Sequence, residues 1–97
     1  MTTLSPRDLA ALAEFDTPTI CNALEVVAPE RRALGFNRRS LVCPFPAMKP
    51  VVAYARTATI RSREPLQKSG PDARAQRLAY YEYIGQAPFP SLAVIQD

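Results

Sequence analysis

The 97-residue chain contains no histidine and no tryptophan, with only three glycines and two cysteines. Missing histidine removes His-based triads, histidine metal clusters and the commonest general base in one step. Any chemistry then falls to carboxylates, arginine, lysine, tyrosine, cysteine or a bound metal. Cys21 and Cys43 are too few and too isolated for a disulfide framework, so free thiols in a cytoplasmic protein are expected. No apolar run approaches the ~20 residues of a membrane span, and the opening MTTLSPRDLA lacks the basic-then-apolar order of a signal peptide. No membrane partner is expected.

What is present is ordinary in hydropathy and less ordinary in backbone chemistry. The length allows one domain, residues 1–97, whose core is thin because a chain this short buries roughly 60–65% of its unfolded surface. Ten prolines point to extended connectors between short elements. The net charge of +3 hides an asymmetry: every basic residue except Arg7 lies between Arg31 and Arg77, where the only acids are Glu64 and Asp72. An anionic partner would suit that stretch. A solvated surface, with arginine stems covering apolar area, is the plainer reading. Nucleic acid is not expected, since no recognised binding module accompanies the charge.

The elements follow from caps and periodicity. Ser5 caps a first helix, with Pro6 at its first position, Asp8 completing a capping box and Leu4 and Leu9 placed as a hydrophobic staple. Asp16 or Thr17 caps a second helix that Pro18 starts and Pro29 ends. Its Ile20, Ala23, Leu24 and Val27 follow the spacing of one buried face. These two helices, residues 1–30, are expected to pack as a hairpin. Residues 31–50 read as a loop, and residues 51–97 as strand, helix and strand. VVAYARTATIRS reads as one long strand with Val52, Tyr54, Arg56 and Ala58 on one face. The third helix runs from about Pro71 to Ile84, with Ala75, Leu78, Tyr81 and Ile84 turned to the core and Gly85 near its end. Leu92 to Gln96 form the last strand. The fold class is therefore α/β, a helical hairpin followed by a βαβ unit. A two-stranded sheet is marginal alone, and SLAVIQD places a core-like strand at the last residues, which is how a truncated domain reads.

Three blocks, in this order, resemble the RraA-like family: LAEFDTPTICNALE its N-terminal signature, VVAYARTATIR its next strand, and YYEYIGQAPFPSLAVIQD the helix and strand that follow. Ala53 stands where the family usually has glycine, Asn22 where aspartate is common, and LVCPFPAMKP is a longer insert. The resemblance implies a partial swivelling β/β/α domain and assembly as a trimer or hexamer. It further implies the N-terminal part of a class II pyruvate aldolase and oxaloacetate decarboxylase. The family includes aldolases of 4-hydroxy-4-methyl-2-oxoglutarate, inhibitors of ribonuclease E, and members labelled dimethylmenaquinone methyltransferase. A small 2-oxo acid and a divalent metal (Mg or Mn) belong to the intact family; for this chain alone no cofactor is expected. The alternative implied is a regulator or assembly subunit acting by protein binding.

The family's catalytic motifs have no counterpart in these residues, so catalytic residues stay unassigned and the chain alone is expected to be inactive. The acids show no metal-ligand spacing. Asp97, at the end of a strand where α/β proteins often bind ligands, and Arg61 are the candidate substrate contacts. Arg56 and Arg61 have opposite parity, so at most one faces a given cleft. Cys21 reads as a small buried hydrophobe, and Cys43 has neither base nor partner nearby. Tyr80, Tyr81 and Tyr83, interleaved with Arg74 and Arg77, imitate a stacking platform, but packing or a subunit contact is the expected role.

Overall fold

The computed structural model describes residues 3–97. The elements run α1 (Pro6–Leu12), α2 (Thr17–Val27), a 3-10 turn (Pro29–Arg31), β1 (Tyr54–Thr59), α3 (Gly70–Ile84) and β2 (Ser91–Gln96). The architecture is mixed α/β with a two-stranded parallel sheet. The chain divides into two compact units, one ending at Val52 and the other spanning Ala53–Asp97.

In the first unit, side-chain caps define the helices. Ser5 Oγ accepts from the Asp8 N–H at 3.2 Å while the Asp8 carboxylate accepts from the Ser5 N–H at 2.9 Å, a complete capping box. Asp16, rather than Thr17, caps α2, its Oδ1 accepting from the Thr19 N–H at 2.9 Å. The expected helical hairpin is not closely packed. α1 spans only seven residues, and its Leu9 and Leu12 are half-buried at best. On α2, Ile20 and Cys21 are half-buried, whereas Ala23, Leu24 and Val27 of the expected buried face are exposed. A two-turn helix is too short to cover that stripe.

The caps also set an acid response. Ser5, through its hydroxyl and then its backbone N–H, lowers the pKa of Asp8; Thr19, through its side chain and then its backbone, lowers that of Asp16. A carboxyl whose folded pKa is depressed contributes stability above its unfolded pKa and loses it as pH falls through the folded value. The helical signal in far-UV circular dichroism is therefore expected to hold down to the ordinary aspartate range and to fall below it. Asp16→Asn, which keeps the acceptor and removes the titration, is expected to flatten that fall; an unchanged acid transition would contradict the cap's role.

In the second unit, β1 and β2 pair in parallel from Tyr54↔Ser91 to Thr59↔Gln96. The Tyr54 N–H donates to Pro90 O at 2.9 Å and the Ile60 N–H to Gln96 O at 2.8 Å, one at each end of the ladder. A parallel pair needs a crossover, and α3 supplies it. β1 is shorter than VVAYARTATIRS suggests, because a strand persists only where a partner takes its backbone groups, and β2 matches six residues. The expected alternation holds within it: Tyr54, Arg56 and Ala58 are half-buried and Ala55, Thr57 and Thr59 exposed.

α3 is capped by Ser69, whose Oγ accepts from the Asp72 N–H at 3.2 Å. Its contact side agrees with expectation at Ile84 and differs at the other three expected positions. Ala73, Tyr80 and Ile84 are half-buried, while Ala75, Leu78 and Tyr81 are exposed. Apolar residues lie on two sides of α3, so periodicity alone permits either. Arg56 on β1 reaches α3 at Tyr83, its guanidinium carbon 5.6 Å from the centre of that ring. Ser91 Oγ adds a donated bond to Ile84 O at 3.5 Å. No described residue is fully buried, since one helix covers one face of a two-stranded sheet and leaves the other open.

Candidate functional site

The carboxyl ends of β1 and β2 open into a shallow cleft of about 590 Å³. In parallel α/β units, the strand ends are where backbone groups leave the ladder and ligands bind. The cleft is lined by Thr59 to Glu64 on one side and by Gln96 and Asp97 on the other. Both expected substrate contacts, Arg61 and Asp97, are brought together there. The register explains why: Thr59 stands opposite Gln96, so the residues that follow each strand emerge side by side.

Asp97 is held by the chain itself. The Ser62 N–H donates to Asp97 Oδ1 at 3.2 Å, and the Ser62 hydroxyl donates to Oδ2. The carboxylate thus continues the ladder by one side-chain step, and it keeps outward lone pairs for a second donor. Arg61 and Arg63 make no hydrogen bond or ion pair among the described residues, and both line the cleft. An arginine fork that is not already engaged suits a carboxylate or phosphate. Glu64 and Asp97 bring opposing charge, so the cleft is mixed in sign rather than a broad cationic surface.

Arg56, the other candidate cation, has a different task. Its Nη2 donates to Gln86 O at 2.7 Å and lies 3.5 Å from Pro88 O. Those carbonyls belong to the connection from α3 to β2, which contains cis Ala87–Pro88 and Phe89–Pro90 peptides. Its Nε is buried without a partner. Arg56 therefore ties β1 to that connection, and only Arg61 of the two faces the cleft.

The remaining candidates fall into packing roles or none. Cys21 is half-buried rather than enclosed, because α1 does not cover it; Cys43 is exposed, with Sγ donating to Phe45 O at 3.2 Å. Tyr80 and Tyr81 tilt against one another with centroids 5.9 Å apart. With Tyr83 engaged by Arg56, the three rings do not present one face for stacking. A hard cation needs several convergent oxygen ligands, and no group of three or more His, Cys, Asp or Glu among the described residues forms such a set. Among the described residues no helix is long and apolar enough to cross a membrane.

Ser62 is the site residue that sequence reasoning missed. Its signal was positional: once the two strands are taken as parallel with their ends level, residue 62 is the next backbone donor after the ladder and Asp97 the nearest acceptor. Arg63 was hidden by being one of many arginines. No family model matches the chain, and no curated protein or solved structure does either.

Proposed function

We propose that the chain forms the N-terminal part of an RraA-like class II pyruvate aldolase and oxaloacetate decarboxylase. In this reading it contributes a carboxylate-binding cleft for small 2-oxo acids and has no turnover alone. The observation that supports the reading is the meeting of Arg61 and Asp97 at the carboxyl ends of a parallel strand pair. Arg61 and Arg63 offer guanidinium donors to the substrate carboxylate. The Ser62–Asp97 bonds hold the two strand ends at a set spacing, which fixes where those arginines leave the sheet. The three sequence blocks that resemble the family supply the choice of 2-oxo acids over other anions.

The test is a titration of the isotopically labelled chain with oxalate and with pyruvate, followed by amide chemical shifts. Shifts confined to Arg61, Ser62, Arg63 and Asp97 are expected, with Arg61→Ala weakening binding about tenfold, as loss of one charge-assisted pair implies. Shifts elsewhere, or none, would overturn the cleft. A parallel assay of pyruvate release from oxaloacetate with magnesium is expected to show no turnover, and metal-dependent release would overturn the claim of inactivity.

A second reading is favoured by a specific feature: Leu92 and Val94 remain half-exposed on the uncovered face of the sheet. A regulator or assembly subunit, binding protein rather than converting substrate, would use such a face.

A further inference from the structure

The segment between the 3-10 turn and β1 combines two properties that rarely coincide in a loop. Its large apolar side chains are turned out to water: Leu41 and Val42 are each 86% exposed, and Phe36, Phe45 and Met48 are more than half exposed. Arg38, Arg39 and Lys49 lie among them, all exposed, and no acid occurs from Arg31 to Arg63. Arg32 is partly engaged by Glu25 at 3.4 Å, whereas Arg38, Arg39 and Lys49 make no hydrogen bond or ion pair among the described residues.

The local backbone promotes that exposure. Ala33 at φ 61° and Gly35 at φ 80° both occupy the left-handed region on either side of Leu34, so the chain reverses as it leaves the 3-10 turn. Residue 33 carries a Cβ and is strained there. Proline at residues 44, 46 and 50 leaves the remainder without helix or strand pairing. Apart from a turn in which the Met48 N–H donates to Phe45 O at 2.9 Å, the segment has few internal bonds that could fold its apolar groups inward.

Exposed aliphatic groups with interspersed cations and no anion are complementary to a lipid bilayer carrying negative headgroups. Cations stay at the headgroups while apolar side chains enter the boundary of the acyl region. Charge complementarity selects an anionic bilayer over a neutral one. Nucleic acid fits the cations, and Phe36 and Phe45 have rings that stack on bases, but the most exposed groups, Leu41 and Val42, are aliphatic and offer it no stacking face.

We propose that residues 34–51 form a peripheral docking surface for anionic membranes, independent of the cleft at the strand ends. The chain lies on such a surface without crossing it. Leu41 and Val42 insert, and Arg38, Arg39 and Lys49 pair with lipid headgroups.

The experiment is flotation of the full chain with vesicles of phosphatidylcholine, with and without a fifth of phosphatidylserine, at low and high salt. Partitioning into the anionic vesicles is expected to exceed that into neutral ones by at least about tenfold and to fall with salt. Leu41→Ser with Val42→Ser, and separately Arg38→Glu with Arg39→Glu, are each expected to weaken it by about tenfold or more. Far-UV circular dichroism of both variants is expected to be unchanged, since neither pair lies in a helix or strand. Equal uptake by neutral and anionic vesicles would overturn the proposal, as would full binding by Leu41→Ser with Val42→Ser. Binding to polyuridylate in place of vesicles, undiminished in that same variant, would overturn it in favour of nucleic acid.

Discussion

Replacing Arg56 by methionine is expected to destabilise the strand–helix–strand unit by about 1.5 kcal/mol. The substitution keeps most of the apolar stem and removes the guanidinium. Two interactions go with it: the 2.7 Å bond to Gln86 O and the approach to the Tyr83 ring at 5.6 Å. A hydrogen bond from a charged donor contributes about 1.5–3 kcal/mol, and a partly desolvated cation–π contact adds about 0.5–2. Against this, methionine relieves the buried Nε that has no partner, worth about 1–3 kcal/mol, so the net loss lies well below the sum. Urea denaturation followed by circular dichroism checks it, with Arg56→Lys expected between the two because an ammonium keeps the charge and loses the planar fork. Unchanged stability in Arg56→Met would mean that the α3–β2 connection is held by its own backbone, without the arginine.

Arg56 also shows where the sequence stops being legible. Caps were readable because their chemistry is local: Ser5 with Asp8 and Asp16 before Pro18 each act within three residues; Ser69, which caps α3 in the same way, was not read from the sequence. The alternation of β1 was readable for the same reason, as neighbouring residues on a strand must face opposite ways. The contact side of α3 was so only in part. Of the residues expected inward, Ile84 is half-buried but Leu78 and Tyr81 are not, and Tyr80 takes their place; the helix meets Arg56, remote in sequence, through Tyr83. The face of α2 failed differently. Its spacing marks an apolar stripe, but periodicity carries no information about whether a partner is long enough to cover it. Strand-end position and charge singled out Asp97 and Arg61, and the structure places both on the one cleft. Ser62 needed the register, which emerges only when the two strands are paired.

Placing a lysine at Val94 is expected to suppress self-association of the chain, raising its dissociation constant on the order of tenfold. Parallel register puts Leu92 and Val94 on the same side as Ala55 and Thr57, opposite the side that carries Arg56 and meets α3. Leu92 is 48% and Val94 46% exposed there. Covering the exposed half of one such side chain yields about 1–1.5 kcal/mol, which corresponds to roughly tenfold in an equilibrium constant. A lysine ammonium at the centre of that face would have to be desolvated for two copies to meet. β2 is also paired on one edge only, and an unpaired edge invites a further strand. The two routes separate in sedimentation velocity across a concentration series. Face-to-face association, expected for the unsubstituted chain, is weakened in Val94→Lys. Association that persists undiminished in Val94→Lys would place the contact at the β2 edge, and a chain that remains monomeric at every concentration would remove the uncovered sheet face as an assembly surface.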